Sequence, residues 1–132
     1  MPKILISDSL SSLAKDIFIK NNIEVDVITD LDNNSLKNII HQYDGLVVRS
    51  ATKATDEIIN AGTNLKIIGR AGAGVDNIDL ISAKKNNIIV MNTPGGNTNA
   101  TAEHTLSLLL SLYRNIPEAN HGTHRGLWEK KF

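Results

Sequence analysis

The chain has 132 residues, the size of one α/β domain with its own core, and its 14 Lys plus Arg balance 14 Asp plus Glu at zero formal charge. That balance excludes the strongly basic footprint of non-specific nucleic-acid binding, and the lack of cysteine excludes disulfides, thiolate metal sites and a thiol nucleophile. Met1-Pro2-Lys3 runs straight into Ile4-Leu5-Ile6, an apolar segment too brief for a signal-peptide core or a membrane span, so a soluble cytoplasmic protein with no membrane partner is expected.

Apolar runs of strand length alternate with helical patterns, the signature of βαβ units and a parallel sheet. Strands are expected over Lys3–Ser7, Glu24–Ile28, Gly45–Val48, Lys66–Gly69 and Ile88–Met91. Between them, Leu10, Leu13 and Ile17 fall on one helical face, Leu36, Ile39 and Ile40 on a second, and Ile58 and Ile59 with Ala61 on a third. Thr55 before Asp56-Glu57 and Asp79 before Leu80-Ile81 read as helix N-caps, with acid near the positive end of the first. Asn21-Asn22 and Asn86-Asn87 mark helix-to-strand turns. From Asn99 to Ile116 apolar residues recur at helical spacing, and Leu108 and Leu110 widen the stripe to most of the circumference, so this helix demands burial on nearly all sides. Pro117 ends or kinks it, and Glu118–His124 restarts as a short helix with proline in its first turn. Gly126-Leu127-Trp128-Glu129-Lys130-Lys131-Phe132 follows without a terminating element, and the chain reads as part of a longer one.

In an open parallel sheet, ligands sit beyond the carboxyl ends of the strands. The third and fourth strands discharge there into Arg49 and Arg70. Either arginine alone is ordinarily a solvated surface group. Two at one edge, with loose backbone N–H groups, make a receptor for a carboxylate or phosphate that lysine would not reproduce. Gly72-Ala73-Gly74 begins a dinucleotide-type G-x-G-x-x-G, but Asn77 stands at the last glycine and no acid follows the next strand at Met91-Asn92. A turn baring N–H groups to an anion suits these glycines better, beside the plainer reading of a sharp strand-to-helix connection.

Asn92 and Asn97 flank the turn Thr93-Pro94-Gly95-Gly96, and Asn97 caps the long helix or bonds a ligand, capping being the more ordinary role. Glu103 and His104 are helix neighbours about 100° apart and form no dyad. His41, His121 and His124 are dispersed or near the end of the chain, no pair has zinc-ligand spacing, and neither His121 nor His124 has an obvious partner carboxylate, so no metal site and no catalytic acid–base pair is expected in this chain. Arg49 stands where a phospho-receiver domain would carry its acceptor aspartate, and no phosphate loop for flavin mononucleotide follows the first strand.

Leu5-Ile6-Ser7-Asp8-Ser9-Leu10, Val48-Arg49-Ser50-Ala51-Thr52-Lys53, the run Ile68–Leu80, Val90-Met91-Asn92-Thr93-Pro94, Asn97, Ala102-Glu103 and the closing Gly126–Phe132 resemble the amino-terminal portion of the D-isomer-specific 2-hydroxyacid dehydrogenases, in particular those acting on 3-phosphoglycerate in serine biosynthesis. The resemblance runs from residue 4 to the last. It implies a flavodoxin-like, parallel five-stranded substrate-binding domain over 1–98, then, over 99–132, a linker helix and the start of a Rossmann domain that is missing from this chain. It implies that Arg49, Ser50, Arg70 and Asn97 contact a small anionic hydroxy or keto acid, and that backbone N–H groups around Ala73, Gly74 and Val75 meet its carboxylate, with Ala73 and Val75 near the nicotinamide. It further implies NAD as cofactor, bound mainly outside this chain, and a homo-oligomer. Many relatives that act on 3-phosphoglycerate carry Thr where Ala73 stands, which leaves the backbone role and empties the side-chain one. His104 replaces a usual leucine, and the triplet Ala102-Glu103-His104 resembles that of formate dehydrogenases in the same superfamily.

Two functional readings follow. One is the substrate-binding part of a nicotinamide-dependent dehydrogenase, inactive by itself because hydride transfer needs a bound nicotinamide and a base. The other is a stand-alone module binding a small anion without chemistry.

Overall fold

The computed structural model describes residues 1–128. Glu129-Lys130-Lys131-Phe132, the end of the closing motif, lie outside the described residues. The chain divides into two compact units, Met1–Gly96 and Asn97–Phe132.

In the first unit the elements run β1 (Lys3–Ile6), α1 (Ser12–Lys20), β2 (Glu24–Val27), α2 (Asn33–Ile39), a single 3-10 turn at Ile40–Gln42, β3 (Gly45–Val48), α3 (Asp56–Ala61), β4 (Ile67–Arg70), α4 (Leu80–Lys85) and β5 (Ile89–Met91). All five strands are parallel in the order β2-β1-β3-β4-β5. This is the flavodoxin-like doubly wound order, in which β1 and β3 flank the point where the winding reverses. Each expected strand is present to within one residue at either end.

The sheet's period of two sorts its residues between faces. Leu5, Leu46, Val48 and Ile68 are buried on one face against Leu36, Ile40, Ile58, Ile59 and Ala83 from the helices. Each of these leucine, isoleucine and valine side chains contributes about 1.5–3 kcal/mol relative to exposure, which makes this layer the rigid base for the loops above it. On the opposite face Ile4, Phe18, Val47, Ile67 and Met91 line an open apolar hollow of about 390 Å³.

Local signals end the helices where expected, with two differences of detail. Asp79 accepts the N–H of Ser82 at 2.9 Å, a side-chain N-cap, whereas Thr55 holds the N-cap position of α3 without a capping bond. Asn22 (φ 57°) and Asn87 (φ 55°) take the left-handed conformation at the helix-to-strand turns, which asparagine tolerates better than most residues. In α1, however, Leu13 and Ile17 are 65 % and 61 % exposed, and the half-buried pair is Ala14 and Phe18. Both pairs share the i, i+4 spacing, so periodicity fixes the direction of the stripe but not which of two adjacent stripes docks.

The second unit holds α5 (Thr98–Tyr113) and α6 (Ile116–His124). The first ends three residues before the expected Ile116 because Asn115 adopts φ 50°, and Pro117 lies in the first turn of α6, where a missing N–H costs nothing. Leu106, Leu108, Leu109, Leu110 and Leu112 of α5 are all exposed. Among the described residues no helix is long and apolar enough to cross a membrane.

Candidate functional site

Two loops at the carboxyl edge of the sheet carry the polar geometry. The first, Arg49–Thr52, leaves β3. Asp8, buried just past the end of β1, accepts the backbone N–H of Arg49 at 2.6 Å, the Thr52 hydroxyl at 2.6 Å and the Thr52 N–H at 3.1 Å. Burial works to raise the Asp8 carboxyl. The Thr52 hydroxyl and the N–H groups of Arg49, Thr52 and Ala51 together outweigh it, and hold the group below its ordinary 3.8. The loop's carbonyls are held from the other side: Asn77 Nδ2 donates to Arg49 O at 2.8 Å and to Thr52 O at 2.6 Å, and Arg70 Nε donates to Arg49 O at 3.1 Å. Asn77 Oδ1 is buried without a partner. The loop's main chain is thus fixed at both its N–H and C=O groups, while the exposed Arg49 side chain makes one long bond, from Nη1 to Ser9 O at 3.3 Å. Among the described residues no carboxylate pairs with Arg49.

The second loop, Arg70–Asn77, leaves β4 and curls over its own first side chain. The Arg70 guanidinium is only 12 % exposed, and its Nη1 lies 3.2 Å from Asp76 Oδ1. A Cβ at Gly74 would lie 2.9 Å from Nη1, and one at Gly72 would lie 3.5 Å from it. Neither glycine has positive φ, which is confined among glycines to Gly95 and Gly126. These glycines serve close approach to Arg70 and not a left-handed turn. From β5, Thr93 N–H donates to Gly72 O at 3.0 Å and Asn92 Nδ2 donates to Ala73 O at 2.7 Å. Among the described residues no acceptor takes the N–H of Ala73, Gly74 or Val75.

The first unit thus brings Arg49, Ser50, Arg70, Ala73, Gly74 and Val75 to one edge of the sheet. Arg49, Ser50, Ala73 and Gly74 are exposed there, Val75 is half-buried, and Arg70 is largely covered by the loop and engaged by Arg49 O and Asp76. Asn97 belongs to the second unit. It occupies the N-cap position of α5 but makes no capping bond, so the ordinary reading of its side chain does not hold. Asp8, Thr52, Asn77 and Asn92 organise the edge without having been singled out for it. Asn77 was visible only as a glycine that failed to appear.

The glycine loop does not suit a dinucleotide. It leads through Asp76–Asp79 into a six-residue helix, and on the side where the Gly72 and Gly74 side chains would stand lies the Arg70 guanidinium, not room for a pyrophosphate. Among the described residues no three His, Asp or Glu side chains converge as metal ligands.

Residues 4–126 match the model of the D-isomer specific 2-hydroxyacid dehydrogenase catalytic domain. The chain belongs to this family. It is 48 % identical over 131 residues to the D-3-phosphoglycerate dehydrogenase of Synechocystis sp., covering 99 % of this chain and 24 % of that protein. Among solved structures it is similar to a Pyrococcus horikoshii protein (TM-score 0.84, 34 % identity, 98 % of this chain and 39 % of the other). It is also similar to the NAD+-bound 3-phosphoglycerate dehydrogenase of Entamoeba histolytica (TM-score 0.72, 37 % identity, 83 % of this chain and 38 % of the other). This 2-hydroxyacid dehydrogenase family member therefore spans about a quarter of the length of the curated relatives it matches.

Proposed function

We propose that this chain is the substrate-binding part of an NAD-dependent oxidoreductase of D-2-hydroxyacids, acting on 3-phosphoglycerate. Residues 1–98 form the substrate domain, and 99–132 form the linker helix and the beginning of a nucleotide-binding domain. The observation that supports this reading best is the pairing, at one sheet edge, of an exposed guanidinium and a loop of N–H groups that, among the described residues, have neither a carboxylate nor an acceptor for partner. A substrate with a carboxylate at one end and a phosphate at the other needs two anion receptors.

In this reading the N–H groups around Ala73, Gly74 and Val75 receive the carboxylate. Arg49 and Ser50 hold the remaining anionic end, Arg70 contributes positive charge from beneath the loop, and Asn97 reaches the substrate. When bound, NAD would supply the hydride acceptor, with Ala73 and Val75 the residues of this chain nearest to it. This chain's own residues bind and orient; among the described residues we assign none to take the hydroxyl proton, and we expect no turnover from the chain alone.

The test is an amide NMR titration of the chain with 3-phosphoglycerate, followed by NAD alone. Shifts at Arg49–Ser50 and Ala73–Val75 with the acid, and much weaker ones with NAD, are expected. The absence of acid-dependent shifts at both loops would overturn the assignment.

A further inference from the structure

The N–H groups of Ala73 and Gly74 face away from the exit of β5 because two anchors there, one main chain and one side chain, hold the carbonyls of their peptide units. The peptide units of this loop are trans, and among the described residues none is cis, so the N–H of each unit points opposite to its C=O. The carbonyl of Gly72 shares its peptide unit with the N–H of Ala73, and the carbonyl of Ala73 shares its unit with the N–H of Gly74. Both carbonyls are drawn to the exit of β5, the first by Thr93 N–H at 3.0 Å and the second by Asn92 Nδ2 at 2.7 Å. Two consecutive N–H groups are thereby turned the other way, and neither meets an acceptor among the described residues. Adjacent N–H groups set in this manner make an anion-binding concavity. The Thr93 anchor is main chain, which any residue but proline would supply. The Asn92 anchor is a side-chain amide, and only a residue with a donor of that reach supplies it.

We infer that Asn92 is a positioning residue for carboxylate recognition: by holding the Ala73 carbonyl it aims the Gly74 N–H at the substrate, which it does not itself touch. This rests on the reading of the loop as the carboxylate receptor. Aspartate at the same position has the same shape but sets an oxygen against the Ala73 carbonyl. Alanine removes the anchor, and glutamine restores a donor at a less suitable length.

The experiment uses Asn92→Ala, Asn92→Asp and Asn92→Gln in the chain, with two readouts. Without ligand, residual dipolar couplings of the Ala73 and Gly74 amides report the orientation of these peptide units. The Gly74 coupling should change in the Ala and Asp variants, while that of Ala73, whose peptide unit the Thr93 N–H holds, and those of the β1 and β3 amides stay put; an unchanged Gly74 coupling would overturn the inference whatever the ligand. In titrations, affinity for 3-phosphoglycerate should fall about tenfold in the Ala and Asp variants and less in the Gln variant, the size of one lost hydrogen bond to a charged group. Affinity for glycerol 3-phosphate, which keeps the phosphate and lacks the carboxylate, should hold. Equal loss for both ligands, or loss for neither, would show that Asn92 does not serve the carboxylate. A wild-type chain that binds neither ligand would instead remove the substrate assignment and leave the dipolar couplings to decide the role of Asn92.

Discussion

Asp8 accepts the backbone N–H of Arg49 at 2.6 Å across 41 residues of sequence, so the arginine proposed to meet the substrate is fixed at its main chain by a buried acid. The same carboxylate takes the hydroxyl and N–H of Thr52. Asp8→Asn keeps the shape and turns one acceptor into a donor facing N–H groups. It should cost about 1–3 kcal/mol, the penalty for buried donors left unpaired, and lower the thermal midpoint. Thr52→Val removes only the hydroxyl and should cost less, about 0.5–1.5 kcal/mol. A thermal melt of Asp8→Asn coincident with wild type would show that the loop is held by Asn77 and Arg70 alone.

The depressed Asp8 carboxyl also fixes a pH dependence. Between its folded value and 3.8, the unfolded chain takes up a proton that the folded chain refuses, so stability rises with pH through that window. The contribution is complete above the unfolded value and is lost as pH falls through the folded one. Asp44, lowered first by its bond to Lys66, and Asp26, lowered first by Lys3, act in the same direction. Urea midpoints measured from about pH 6 down to about pH 2.5 should fall on the acid side, and the acid limb of Asp8→Asn should be shallower than that of wild type. Parallel limbs would mean that Asp8 titrates alike in both states.

Arg49→Ala should lower 3-phosphoglycerate affinity roughly tenfold to a hundredfold, since a charge-assisted hydrogen bond contributes about 1.5–3 kcal/mol. Arg49→Lys should recover only part, because a point charge lacks the planar fork. The Arg49 side chain makes one long bond within the chain, so neither substitution should move the thermal midpoint appreciably. An intact affinity in Arg49→Ala, measured by calorimetry, would mark it as a surface residue.

What could be read from the sequence was what is local. Strand ends, the left-handed Asn22 and Asn87 and the Asp79 cap depend on residues within one turn of one another, and each was legible. The stripe of α1 was legible only up to a rotation of one residue, and the break after Tyr113 was not, because Pro117 drew attention from Asn115. At the site, Arg49 and Arg70 stood out because each ends a strand. Asp8, Asn77 and Asn92 did not, because their bonds join residues 41 and 44, 25 and 28, and 19 positions apart, and nothing in the spacing announces such a pairing. Gly72 and Gly74 were recognised as a backbone feature, but what they make room for is a side chain that precedes them.

That last point is testable at Gly74. A methyl there would lie 2.9 Å from both Arg70 Nη1 and Asp76 Oδ1, which are the ends of movable side chains, so Gly74→Ala should separate the pair without unfolding the sheet. Asp76 is 82 % exposed, and such an ion pair contributes at most about 1 kcal/mol. The variant should therefore melt close to wild type while binding 3-phosphoglycerate more weakly, because the displaced guanidinium no longer supports the loop. A large drop in the melt with unchanged binding would reverse the assignment and make the contact a structural one.

The apolar residues of α5 raise a different question. Leu109 and Leu112 are 60 % and 74 % exposed, and neither belongs to the buried cluster of the first unit. A run of exposed leucines on one helix suits an interaction surface, and we expect a second copy of the chain to cover it. Replacing both leucines with glutamate should leave the thermal midpoint near wild type and shift sedimentation from self-associated species to monomer. Were they core residues, truncation alone would cost about 2–5 kcal/mol and buried carboxylates would cost more. A wild-type chain sedimenting as a monomer, beside a double variant that is unfolded, would therefore place the helix inside its own fold and remove the interface.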